Sequence, residues 1–137
     1  MSNKIWLNGN LVNKSEAVIS VFDKGVLYGD GCFEGIRVYS GRIFKLKSHI
    51  DRLFQSAKFL YIDPPFNKKQ IEEAIRITVQ SNDLLDGYVR PVITRGQGNL
   101  GLSPKGCNDP TVFIIADKIS LYPEEFYVSG MPITVSS

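Results

Sequence analysis

The chain has 137 residues, 43% of them hydrophobic, enough for one globular domain with a real core and with no demand for two. Its 16 lysines and arginines against 14 aspartates and glutamates leave a formal net charge of +2, scattered along the sequence, so neither a nucleic-acid stripe nor a polybasic membrane face is indicated. Cys32 and Cys107 fit no zinc or Cys-x-x-Cys spacing, the opening MSNKIWLNGN holds no sustained apolar run, and no stretch approaches the roughly 20 apolar residues of a membrane span, which together point to a cytoplasmic protein.

Ile5 to Leu7, the turn Asn8-Gly9-Asn10 and Leu11-Val12 read as a hairpin, because Asn-Gly supplies the positive φ a tight turn needs. The run Lys24 to Tyr39, KGVLYGDGCFEGIRVY, is patterned as a strand yet holds four glycines and the acid Glu34. Gly29, Gly31 and Gly35 let a ligand approach the backbone, while Tyr28, Phe33 and Arg37 bring a hydroxyl, an apolar face and a cation. Locally, a ligand site and a tight turn entering a hairpin are equally good readings. Phe33 to Tyr39, Ser40-Gly41 and Arg42 to Leu46 form a second hairpin.

A first helix starts at Ser48 as N-cap with Asp51 in its first turn, aligns Ile50, Leu53, Phe54, Ala57 and Leu60 on one face, and ends before Asp63-Pro64-Pro65. A second runs from about Lys68 to Ser81, capped by Asn67, with Ile71, Ala74, Ile75 and Val79 as its buried stripe. Tyr88 to Arg95 and Thr111 to Asp117 are strands, the second so continuously apolar that it reads as central, with Gly96 to Pro110 as the loop between. Strands carrying two helices on one face make a two-layer α+β sandwich.

Several residues carry chemistry. Arg52 lies off the apolar face of the first helix, and a guanidinium fork beside the N–H groups of a helix start suits a phosphate; a solvated surface arginine is the plainer alternative. His49, the single histidine, is read as structural. Tyr88 and Arg90, two apart on a strand, share a face and can converge on one carboxylate, although cross-strand pairing on a solvent face gives the same pattern. Glu34 and Arg37 are read as a buried charge pair.

Taken together, the motifs F-E-G-I-R at Phe33, H-I-D-R-L at His49, Y-V-R-P at Tyr88 and T-R-G-Q-G-N-L-G-L-S-P at Thr94 resemble, in this order and spacing, the N-terminal domain of the branched-chain amino acid aminotransferases, class IV pyridoxal-phosphate enzymes. The resemblance covers nearly the whole chain. It implies a mostly antiparallel sheet with two helices on one face, pyridoxal 5'-phosphate as cofactor with Arg52 on its phosphate, and amino transfer between leucine, isoleucine or valine and 2-oxoglutarate. Tyr28, Phe33, Gly35, Tyr88, Arg90, Leu100, Leu102 and Tyr122 then line the substrate, with Arg90, Tyr28 and Tyr122 receiving glutamate's side-chain carboxylate. Tyr28, Leu100 and Leu102 would reach the neighbour's pocket across a homodimer.

The family's Schiff-base lysine would lie beyond Ser137, so no catalytic residue is expected within the chain. The chain is then an N-terminal fragment, inactive alone: a domain over 1–122, a linker over 123–130, and over 131–137 the first strand of a missing C-terminal domain. A D-amino acid aminotransferase is the nearest rival, but that group resembles V-Y-E-V in place of F-E-G-I-R and carries an R-x-H pair after the T-R-G. Aminodeoxychorismate lyase fits less well because Y-V-R-P is of branched-chain type. A noncatalytic dimerising or anion-binding domain is the alternative of another class.

Overall fold

A computed structural model describes residues 3–119 and 122–136. Lys4–Leu7 (β1) and Asn10–Asn13 (β2) pair antiparallel around Asn8 and Gly9, at φ 46° and 97°, as the two-residue turn requires. Lys24–Tyr28 is a short helix (α1), which corrects the strand reading of that run. The buried Asp23 caps it by accepting from the Gly25 N–H at 2.7 Å, and Gly29 ends it at φ 66°. Five residues are too few to show helical periodicity, and the Asp–Gly pair of caps was the available signal.

Gly31–Phe33 (β3) and Ile36–Tyr39 (β4) come next, and Arg42–Ile43 (β5) folds back on β4 across Ser40 and Gly41, both at positive φ. Leu46–Phe59 (α2) begins before the expected Ser48. Lys45, at φ 50°, occupies the N-cap without a side-chain cap bond, and Leu46, Ile50, Leu53 and Ala57 are buried. Lys68–Ser81 (α3) has the expected bounds: the Asn67 side chain accepts from the Gln70 N–H at 2.9 Å and the Gln70 side chain accepts from the Asn67 N–H at 2.8 Å. Thr78 joins the predicted stripe of α3 in the core, its hydroxyl donating to the Ala74 carbonyl at 2.6 Å so that burial leaves it satisfied.

Gly87–Thr94 (β6) and Val112–Asp117 (β7) complete a sheet of order β2-β1-β7-β6-β4-β5, with β3 also on β6; the described strand pairs are all antiparallel. β3 and β4 keep one register along β6, and Glu34-Gly35 interrupts the pairing. The Glu34 N–H reaches the Pro91 carbonyl at 3.1 Å, and proline has no N–H to return.

The helices α2 and α3 pack on one face, where Trp6, Ile36, Val38, Val89, Ile93, Val112 and Ile114 meet Leu53, Ala57, Ile71 and Ile75. The architecture is the expected two-layer α+β. β7 is central but alternates in burial, with Phe113 half-buried and Ile115 exposed on the face opposite α2 and α3. There Ile5, Leu7, Ala17, Ile19, Phe113 and Ile115 line an open recess of about 390 Å³. In the stretch read as linker, Glu124–Ser129 forms a short helix (α4); residues 131–136 carry no strand, and Ser137 lies outside the described residues.

Candidate functional site

The β6 register gathers one group of side chains on the open face of the sheet. Phe33 stands opposite Val92 and Arg37 opposite Tyr88, while Arg90, between them on β6, lays its guanidinium 4.5 Å from the centroid of the Phe33 ring. Arg90 Nη2 donates to the Tyr88 hydroxyl at 2.9 Å. Gly35 makes room for this pair: a Cβ there would stand 2.8 Å from Tyr88 Cζ and 3.0 Å from Cε2, closer still to the hydroxyl. The guanidinium and the Phe33 ring are both exposed, so an apolar surface and a cation face outward side by side. Such a pair can receive an aliphatic chain against the ring or a carboxylate on the fork.

A second group sits on the helix side of the same strand. Glu34, 6% exposed, accepts from Arg52 Nε at Oε1 and from Nη2 at Oε2, both at 2.6 Å, and lies 2.8 Å from His49 Nδ1. The hydrogen bonds from Arg52 hold the Glu34 carboxyl below its ordinary range against the opposing effect of burial, with His49 adding to the same direction. The expected Glu34–Arg37 pair is thereby corrected. Residues three apart on a strand point to opposite faces, and Arg37 lies beside Tyr39, 5.2 Å from its ring centroid. The signal for the true partners was the H-x-x-R spacing, which puts His49 and Arg52 on one side of a helix. Close by, burial and then the Glu34 charge push the Cys32 thiol up to about 11.

Because α2 starts at Leu46, Arg52 stands nearly two turns in, roughly 9 Å along the axis, too far for the helix-start N–H groups to share its ligand. Its donors are local instead. Arg52, Gln55, Ser56, Phe59 and Leu60 line a shallow recess of about 390 Å³, and the edge of the guanidinium not taken by Glu34 is left for an anion. With the Ser56 hydroxyl and the Gln55 amide, this donor set fits a phosphate.

A third group joins α1 to the loop after β6. The Tyr28 hydroxyl donates to the Leu100 carbonyl. Lys24, 1% exposed, donates to the carbonyls of Asn99, at 2.7 Å, and Gly101. Leu100 and Leu102 are exposed at 66% and 82%, and Tyr122 packs edge-on against Tyr127. A recess of about 330 Å³ between α1 and the open face, lined by Val26, Gly29, Phe33, Val92 and Phe113 among others, connects this group to the first.

Three supporting residues escaped the sequence reading. Asp23 accepts from the hydroxyls of Thr94 at 2.9 Å and Thr111 at 2.7 Å. Arg95 pairs with Asp30 at 2.8 Å and donates to the carbonyls of Leu60 and Tyr61 past the end of α2. Lys24 is the third. These side-chain and loop partners lie 34 or more residues away in sequence, beyond any local pattern, even though Asp23 also caps α1 locally.

Residues 31–137 match the family model of amino-transferase class IV. A Methanocaldococcus jannaschii protein provisionally named a branched-chain-amino-acid aminotransferase is 54% identical over 113 residues, which are 82% of this chain and 39% of that protein. Among solved structures, a T.th. branched-chain amino acid aminotransferase complexed with N-(5'-phosphopyridoxyl)-L-glutamate superposes with a TM-score of 0.81 at 36% identity, covering 87% of this chain and 41% of that one. The same enzyme complexed with 4-methylvaleric acid gives 0.81 at 37%, covering 86% and 41%. The chain thus spans less than half the length of these relatives.

Proposed function

The chain belongs to the class IV aminotransferase family, and from that premise we propose that the protein it forms part of transfers an amino group between leucine, isoleucine or valine and 2-oxoglutarate. The observation that carries the substrate reading is Arg90 laid on the Phe33 ring and tied to the Tyr88 hydroxyl. One pocket must accept both a branched aliphatic side chain and the second carboxylate of glutamate. A guanidinium at the edge of an apolar wall does both, provided a hydroxyl satisfies it when the aliphatic substrate is in place. The glutamate derivative and the branched acid bound by the T.th. relative support the same dual requirement.

Pyridoxal 5'-phosphate, when bound, supplies the electron sink and carries the amino group between the two half-reactions. On this chain Arg52, with Ser56 and Gln55, would hold its phosphate, and Glu34 keeps the Arg52 fork in a fixed orientation. His49 is engaged with Glu34 and is given no proton-transfer role. The proton-shuttling lysine is assigned to a C-terminal domain reached through residues 123–130, with 1–122 as the N-terminal domain and 131–137 opening the next. Gly35 leaves space above β6, and the exposed Tyr28, Leu100 and Leu102 suit a role as the wall of a neighbouring subunit's pocket in a homodimer. The cysteine usage favours the cytoplasm.

The test is Arg90→Met in the full-length protein, followed by single-turnover rates with glutamate and with leucine. Loss of a charged hydrogen-bond pair should cost the glutamate half-reaction on the order of 2 to 4 kcal/mol and leave the leucine half-reaction close to wild type. An equal loss with both donors would remove Arg90 from side-chain recognition.

A further inference from the structure

Burying an ammonium is costly unless acceptors surround it, and lysine is among the residues least often found inside a protein. Lys24 is 1% exposed, and its charge is met by backbone: the carbonyls of Asn99 and Gly101, with the Tyr28 ring 5.2 Å away. Lys24 and Tyr28 are four apart on α1 and share a face, and the Tyr28 hydroxyl takes the carbonyl of Leu100, between the two that Lys24 holds. Three successive carbonyls of one loop are thus fastened by one face of a five-residue helix.

The loop is built to allow it. Gly98 lies between the Cys107 sulfur and the lysine stem, where a Cβ would come within 2.5 Å of Sγ and 2.8 Å of Cε, and the Asn99 side chain accepts from the Gly101 N–H at 2.9 Å to close the turn. Held from behind, the loop displays Leu100 and Leu102 outward.

We infer that Lys24 is a positioning residue: with Tyr28 it latches residues 99–101 to α1 and so fixes the apolar wall of Leu100 and Leu102 that selects an aliphatic substrate. The latch rests on geometry alone; its effect on selectivity rests on the proposed aminotransferase reading. In the full-length protein, Lys24→Met should speed amide hydrogen exchange across residues 97–104 roughly tenfold or more while α3 keeps its protection. Gly98→Ala, made in a Cys107→Ala background so that the added methyl crowds the stem and not the Cys107 sulfur, should do the same relative to Cys107→Ala alone. In steady state both variants should lower kcat/KM for leucine about tenfold and that for glutamate far less, a split that a smaller folded fraction would not produce.

Unchanged exchange in the loop, or an equal rise in α3, would overturn the latch. Faster loop exchange with leucine and glutamate falling together would overturn the selectivity role. Wild-type protein that turns over neither amino acid would refute the aminotransferase reading, and loop exchange would then decide the latch by itself.

Discussion

Gly35→Ala tests the open-face cluster with a single methyl group. The added Cβ would stand 2.8 Å from Tyr88 Cζ and 3.0 Å from Cε2, inside the 3.4–4 Å of ordinary contact, so the phenol must withdraw. The 2.9 Å bond between its hydroxyl and Arg90 Nη2 then breaks. Losing that exposed bond costs about 1 kcal/mol, and an off-rotamer tyrosine about 0.5–1.5 kcal/mol more. The sum, about 2 kcal/mol, corresponds to a fall in Tm of roughly 5–8 °C for a domain of this size. Trp6, 7% exposed in the core, reports unfolding by fluorescence during urea or thermal titration. With the Tyr88 hydroxyl withdrawn, Arg90 is left unsatisfied beside an aliphatic substrate but can still pair with a carboxylate, so the leucine half-reaction of the full-length protein should slow roughly tenfold while the glutamate half-reaction slows less. A Tm within about 1 °C of wild type together with unaltered rates for both donors would refute the claim that Gly35 holds the Tyr88–Arg90 pair in place.

Arg52→Ala should weaken cofactor retention, read by absorbance after dialysis, and change the pH dependence of stability. Glu34 is held below its unfolded value of 4.5 chiefly by Arg52, so the stability it contributes is present above that value and lost as pH falls through the lowered folded value. The gap in urea midpoint between wild type and variant should therefore be wide at neutral pH and narrow below pH 4.5; a gap constant with pH would mean that the pair does not stabilise the fold. Asn67→Ala removes the capping box of α3 and should cost about 1 kcal/mol by urea unfolding, with Asn67→Gly costing less than that.

The cap and bounds of α3 and all of its buried stripe but Thr78 were legible, because its cap, its 3.6-residue period and its end are local facts about Asn67 to Ser81. Asn8-Gly9 and Ser40-Gly41 likewise announced their hairpins through the positive φ that they adopt. Tyr88 and Arg90 were legible as neighbours because strand alternation alone puts them on one face. The start of α2 was not: an αL lysine at position 45 is an unusual N-cap, and Ser48 offered a better-looking one.

The side-chain partnerships belong to the tertiary structure. Arg52 reaches Glu34 across 18 residues only because α2 packs on the helix side of the β3–β4 edge, and Pro91 opens that edge at Glu34 by withholding an N–H. Lys24 reads as one more charged residue until a loop 75 residues later folds back and supplies the carbonyls that make its burial affordable. Periodicity and turn chemistry act within a few bonds and can be read from residue order, whereas the partners of a buried charge are set by sheet register and by the return of the chain, which no local pattern encodes.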